Sequence, residues 1–165
     1  WTQKGGRPHA EAQALAQAPQ AEPSARFAHL SATGTRKYLA RRLARLHRQV
    51  LRDGRHFDRL PLAQQHRVRK RLKRLRYLAD FAREFAPGMW PGKKGRRFAE
   101  ALVPAQDALG LHNDMAVAAA LFRDEAGTDP RAWFAAGYLQ ARLATSARSS
   151  RRALRALARV PGFWL

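Results

Sequence analysis

The stretch HRVRKRLKRLRYLADF, residues 66–81, sets Val68, Leu72, Leu75 and Ala79 at helical spacing and fills most of the positions between them with Arg and Lys. At about 100° per residue the four apolar side chains share one face of a helix, and the cations occupy the rest. Like charges three or four residues apart on a helix repel, each pair mildly. The segment therefore reads as a helix that must bury its apolar stripe against neighbours and hold something anionic on its charged side. Val68, Leu72, Leu75, Ala79 and Ala82 make the apolar face. His66, Arg69, Lys73 and Arg76 make a cationic row at spacings of three, four and three, roughly 15 Å long at about 1.5 Å rise per residue. Lys70 flanks that row and is counted with it; Arg67, Arg71 and Arg74 surround the remainder. Solvated helix faces usually mix signs, whereas here no acidic residue occurs before Asp80. Asp80 and Glu84 are placed to pair with the end of the row.

Three further helical segments are expected. The first runs from about Gly34 to Asp53, with Leu39, Leu43, Leu46 and Val50 in a narrow arc and Asp53-Gly54 as its stop. The basic helix spans about Pro61 to Phe85, with Pro61 near its first turn and Pro87-Gly88 closing it. After the loop PGMWPGKKG a third helix covers about Arg96 to Glu125, which Pro104 is expected to kink or divide. The fourth starts at Asp129-Pro130, an N-cap followed by Pro, and runs to about Arg159 before Pro161-Gly162. No stretch shows period-two alternation. Four helices with short connections predict an all-α fold, an antiparallel four-helix bundle over residues 34–160. Residues 1–33, rich in Ala, Gln, Pro and Gly, read as a linker with a weak helix in EAQALAQA, and 161–165 as a C-terminal tail. The chain opens on Trp1 rather than Met, which fits a piece of a longer protein.

Charge is concentrated in stripes on other helices too. Lys37, Arg41, Arg45 and Arg48, with Arg52 and Arg55, lie opposite the leucines of the first helix. Arg148, Arg151, Arg152 and Arg155 share a broad arc on the fourth. Across 165 residues the chain carries 32 Lys and Arg against 12 Asp and Glu, a formal net charge of +20. Such an excess destabilises a compact state unless an anion is near. Nucleic acid, anionic lipid and free polyanions are the candidate partners. Cysteine is absent, which excludes disulfides, thiolate chemistry and Cys-based zinc sites. No apolar run reaches membrane-spanning length and no signal-peptide core stands at the N-terminus, so the expected compartment is the cytoplasm.

The string H-x-x-R-x-x-x-K-x-L-R-Y, met by His66, Arg69, Lys73, Leu75, Arg76 and Tyr77, resembles the signature of the CHAD family, the conserved histidine α-helical domain. A second element, PAQDALGLHNDMAVA, with Gln106, Asp107, Leu109, Gly110, Asn113 and Asp114, is similar to the Q-D-x-L-G-x-x-x-D helix of that family. Order and separation of the two elements also fit, over roughly residues 34–160. The resemblance implies two pseudo-symmetric helical bundles of which this chain shows one, the C-terminal half; self-association or a missing N-terminal half would complete the groove. It also implies noncovalent binding of inorganic polyphosphate in a bacterial cytoplasm, at polyphosphate granules in some cases. His66, Arg69, Lys73 and Arg76 are the matched ligand-contacting positions. Lys37, Arg41, Arg45, Arg48, Arg148 and Arg152 extend the site on the argument of the helical wheel.

Phosphate chemistry suits these residue types. Arg offers a planar fork for paired oxygens and Lys a mobile point charge. His66 donates one hydrogen bond when neutral and two when protonated. A nearby anion favours its charged form, so binding is expected to tighten as pH falls. Tyr77 is expected to pack between helices, with closure of the groove by its hydroxyl as the other reading. Asp107 and Asp114 are expected to pair with and orient arginines rather than to hold a metal. Gln106 and Asn113 are expected to make interhelical hydrogen bonds, and Gly110 to permit close packing despite its cost of about 1 kcal/mol within a helix. No P-loop, HExxH or carboxylate cluster is present, so neither phosphoryl-transfer machinery nor a metal or other cofactor is expected. Weak, non-specific nucleic-acid binding is the alternative function. The apolar face of the basic helix suits a bundle core rather than insertion into a membrane surface.

Overall fold

A computed structural model of the chain describes residues 31–90 and 92–164. The expected linker lies outside the described residues except for 31–33. Four helices account for most of what is described: α1 (Ala32–Gly54), α2 (Leu62–Phe85), α3 (Gly92–Glu125) and α4 (Ala132–Leu157). Short 3-10 turns at Phe57–Arg59 and Pro87–Met89 join the first three. No strand occurs among the described residues.

Contacts between elements give the direction of each helix. Asp53 near the end of α1 meets Arg71 in the first half of α2, and Arg36 near the start of α1 lies against Gly88 just past the end of α2. Gln65 meets His112, and Arg76 meets Gln106, so α3 runs against α2. Ser150 Oγ donates to the Ala108 carbonyl, and Arg123 donates to Gln140, so α4 runs against α3. Gly54 packs on Leu154 and His47 on Trp164, which returns α4 and its extension to α1. The result is the expected up-down-up-down bundle. The pair α3–α4 makes the most extensive contact. Alanines at 105, 119, 136 and 147 are buried there or beside it, and small side chains let backbones approach.

The apolar arcs read from the sequence are the ones buried. Leu39, Leu43, Leu46 and Val50 of α1 and Val68, Leu72, Leu75, Ala79 and Ala82 of α2 all face the core. Full burial of one Leu or Val stabilises by about 1.5–3 kcal/mol. A like-charge pair on a helix surface costs only about 0.2–0.5 kcal/mol. Burial of the α2 stripe therefore outweighs the repulsion along its outer side.

The ends of the elements differ from expectation in instructive ways. Ser31 Oγ accepts from the Gly34 amide at 3.1 Å, starting α1 two residues early. Helix α3 begins at Gly92 (φ +26°) and continues unbroken through Pro104; Pro104 does not divide it. The carbonyl that Pro104 leaves without a donor belongs to Glu100, which is exposed, so water can satisfy it. Asp129 accepts from the backbone N–H of Arg131 at 3.0 Å, and the regular helix follows from Ala132. The short C-terminal segment set apart as a tail supplies part of the core. Phe163 is buried against Trp90, with ring centroids 4.4 Å apart, and against Phe98 and Trp164.

Two glycines on α3 behave oppositely. A Cβ on Gly95 would lie 2.3 Å from the Trp90 indole, so the bare backbone is what seats that ring. A Cβ on Gly110 would meet nothing within 4 Å. Close packing therefore does not explain Gly110: it is half-buried, with open space where a Cβ would stand. In urea unfolding, Gly110→Ala is expected to stabilise by about 0.5–1 kcal/mol, Gly95→Ala to destabilise, and Phe163→Ala to cost about 3–5 kcal/mol.

Candidate functional site

Between α2 and α3 an open groove follows the cationic row. Its middle, about 400 Å³, is lined by Arg69, Lys73, Arg76, Tyr77 and Asp80 from α2 and by Gln106 and Leu109 from α3. Arg76 and Asp80 also line a cleft of about 620 Å³ toward the C-terminal end of α2, with Arg83, Arg96 and Glu100. Arg69 and Leu109 also line a cavity of about 310 Å³ toward its N-terminal end, with His66 and Asn113 at the rim. The three spaces thus follow one interhelical seam.

The two sequence elements that carry the family resemblance meet across this seam. His66 Nδ1 donates to Asn113 Oδ1 at 2.8 Å. Arg76 Nη1 donates to Gln106 Oε1. The expected interhelical role of Gln106 and Asn113 holds, and their partners are members of the cationic row itself. A neutral amide acceptor orients a cation without cancelling its charge. With Nδ1 bonded to Asn113, the Nε2 of His66 is a second donor only in the imidazolium form.

Arg69 and Lys73 are partly buried on the α2 wall. Lys73 Nζ lies 5.9 Å from the centroid of Tyr77, a cation–π distance. Neither Arg69 nor Lys73 makes an ion pair among the described residues. Arg76 has a partial counterion in Asp80 at 3.5 Å, which Arg83 shares at 3.8 Å. Glu84 makes no ion pair among the described residues. From His66 to Lys73 the row makes no ion pair among the described residues; Asp80, which also lines the groove, enters only at Arg76.

The other candidates fall elsewhere. Tyr77 is 61% exposed and stands on the lip of the groove, so it does not pack between helices. Lys70 is exposed just outside the groove. Arg71 points to the opposite side of α2, paired with Asp53. Lys37, Arg41, Arg45 and Arg48 are exposed on the side of α1 opposite its buried leucines. Arg148 and Arg152 are exposed on α4 and donate to Thr145 and Ser149 of their own helix. None of these six lines the α2–α3 groove: each points away from the bundle axis. Arg151, half-buried, pairs with Asp58 at 3.3 Å and ties the Phe57–Arg59 turn to α4.

Asp107 and Asp114 are exposed and make no ion pair among the described residues. On the α3 wheel they stand opposite Ala105, Leu109 and His112, the residues facing the core. They point to solvent and orient no arginine. No group of three or more His, Cys, Asp or Glu able to hold a metal is found among the described residues.

Sequence reasoning missed what lies beneath the groove. His112 is buried, with Nε2 2.7 Å from Gln65 Oε1 and Nδ1 2.8 Å from Ser146 Oγ. Gln65 Nε2 donates to the Phe57 carbonyl at 2.9 Å. That orientation of the amide makes His112 Nε2 a donor. Nδ1 faces the Ser146 hydroxyl, whose single proton is also within reach of the Leu143 carbonyl at 3.0 Å. The network joins α2, α3, α4 and the 3-10 turn below His66. Its sequence signal is a polar residue in an apolar arc: Gln65 stands three residues before Val68, and His112 three after Leu109. Arg83, seven residues past Arg76, extends the row by the same spacing rule.

Burial pushes the pKa of both His112 and His47 down. His47 sits edge-on to Phe98 and Trp164, and its Nε2 has no hydrogen-bond partner. With the folded-state values depressed, the unfolded chain takes up protons first. The associated stability is present above about pH 6.5, the unfolded value, and is lost as pH falls through the folded values. Urea unfolding at pH 7.5 and 5.0 should show this loss, and His47→Phe should reduce it.

The model of the CHAD domain family matches residues 3–123. The match begins inside the segment read as a linker and takes in both walls of the groove. No curated protein and no solved structure matches the chain. With both signature elements facing each other across one seam and a match over most of its length, the chain belongs to the CHAD domain family.

Proposed function

We propose that the α2–α3 groove binds inorganic polyphosphate noncovalently. The observation that carries this reading is the pair Arg69 and Lys73, partly buried in the wall of an open groove with no acidic partner. Removing cations from water without a counterion is costly, and a threaded anion offsets that cost. Arg76 and His66, held by Gln106 and Asn113, continue the line of donors. The row has the length and spacing to meet successive phosphates, and polyphosphate asks for little else. The association of the CHAD family with polyphosphate supports the same ligand. The exposed stripes on α1 and α4 raise the general potential rather than making contacts; beyond about 8 Å at physiological salt such charges are screened. On this reading the groove binds its ligand noncovalently; phosphoryl transfer, which requires a positioned metal and nucleophile, is not part of it. Cytoplasmic localisation and docking to polyphosphate granules follow from this reading. Of the described residues, no helix is long and apolar enough to cross a membrane.

One observation favours a second reading. Tyr77, Phe81 and Phe85 are exposed at successive turns of α2, and Phe81 and Phe85 pack with centroids 4.7 Å apart. An aromatic row beside a phosphate row is the layout of a single-stranded nucleic-acid site.

Titrations at 150 mM salt separate the two. Arg69→Ala, Lys73→Ala and Arg76→Ala combined should weaken polyphosphate binding by about 100-fold or more, since hydrogen bonds to charged groups contribute about 1.5–3 kcal/mol each. Lys37→Ala, Arg41→Ala and Arg48→Ala combined should weaken it by less than about three-fold, as solvent-exposed charges do. Polyphosphate should resist displacement by single-stranded RNA at equal charge. Displacement by RNA, with further loss in a Tyr77→Ala, Phe81→Ala variant, would put the nucleic-acid reading first.

A further inference from the structure

Past His66 the groove changes chemistry. The cavity of about 310 Å³ at its N-terminal end opens between Leu62 and Ala63 of α2 and Ala116 and Val117 of α3, over Phe57. It joins the cationic cleft at Arg69 and Leu109, which line both. The polar side chains around it are already bonded to one another. Gln65 holds the Phe57 carbonyl and His112, His112 holds Ser146, and His66 holds Asn113. The cavity thus presents a mainly carbon surface.

Inorganic polyphosphate has nothing to place there, because an anion moved onto apolar surface loses hydration without recompense. A nucleobase would leave ring donors and acceptors unmatched, each at the cost of its desolvation. An aliphatic chain has neither problem and is favoured roughly in proportion to the apolar area buried. A group of the size of a water takes about 30 Å³, so the cavity seats roughly ten such groups, the length of a short prenyl chain.

We propose that this groove also takes amphiphilic diphosphates, with the diphosphate on Arg69, Lys73 and Arg76 and an alkyl or prenyl chain in the cavity beyond Arg69. The inference rests on the phosphate reading of those three residues. It adds a ligand class that the cationic row alone would not distinguish from inorganic phosphate. Val117 and Leu62, both more than half exposed, form the mouth through which the chain enters.

Calorimetric titration of the full chain with methyl diphosphate, geranyl diphosphate and geraniol tests it. The two diphosphates carry the same charge. Geranyl diphosphate is expected to bind at least ten-fold more tightly than methyl diphosphate, and geraniol far more weakly than either. Ala116→Leu, at a half-exposed helical position, should erase the preference while leaving methyl diphosphate affinity unchanged. Val117→Asp, which sets a charge at the mouth, should reduce the preference independently, so the test survives misfolding of one variant. Equal affinity for the two diphosphates overturns the inference and leaves the phosphate site standing. Failure of both to bind overturns it, and long-chain polyphosphate titrated alongside then decides separately whether the phosphate reading stands. Geraniol binding as well as geranyl diphosphate, or a preference intact in both variants, also overturns it.

Discussion

The groove depends on one kind of contact: neutral amides on α3 accepting hydrogen bonds from the charged side of α2. Gln106 takes Arg76, Asn113 takes His66, and below them Gln65 and His112 bond in the interior. A carboxylate in the place of either amide would hold its partner more strongly, but it would also cancel the charge. An apolar residue would leave the cation free to swing into solvent. The amides fix direction and leave the field intact. Helix α2 can therefore be docked against α3 along its length while its groove side stays positive.

That arrangement works only because the opposite face of α2 is so well buried. Val68, Leu72, Leu75, Ala79 and Ala82 are all nearly inaccessible to solvent, and their burial exceeds the sum of modest surface repulsions. Asp53 and Asp58 hold Arg71 and Arg151, fixing the turn between α1 and α2 against the bundle. Asp80 sits at the C-terminal end of the row and is shared by Arg76 and Arg83. Arg69 and Lys73 are left facing the groove with no acid beside them. That leaves positive charge on the groove wall that no ion pair among the described residues offsets.

Much of this was legible in the residues. The helix-period arcs of α1 and α2 are the buried ones, and the row His66, Arg69, Lys73 and Arg76 does share one wall. The interhelical use of Gln106 and Asn113 was also legible. Other inferences failed for definable reasons. A wheel shows which residues share a face but not what that face meets. Hence Lys37, Arg41, Arg45, Arg48, Arg148 and Arg152 were grouped with the α2 row on the wheel alone, and their helices turn them away from the α2–α3 groove. Asp107 and Asp114 were given arginine partners although they sit diametrically opposite the core arc of α3. Gly110 was assigned a packing role at a position that faces open space. Tyr77 was expected to pack between helices, with a place at the groove as the other reading, and it stands exposed on the groove lip. Phe163, in a segment too short to show any period, became a core residue.

The sequence by itself determined the helices, their buried stripes and the chemistry of the α2 row, because these depend on residues within a few positions of each other along one helix. Only the tertiary structure decided which stripe lines a groove, which histidine is buried and where the groove turns apolar. Those features depend on the rotation of one helix against the next. That rotation is set by side chains far apart in the chain, such as His66 with Asn113 and Gly54 with Leu154, and no local pattern records it.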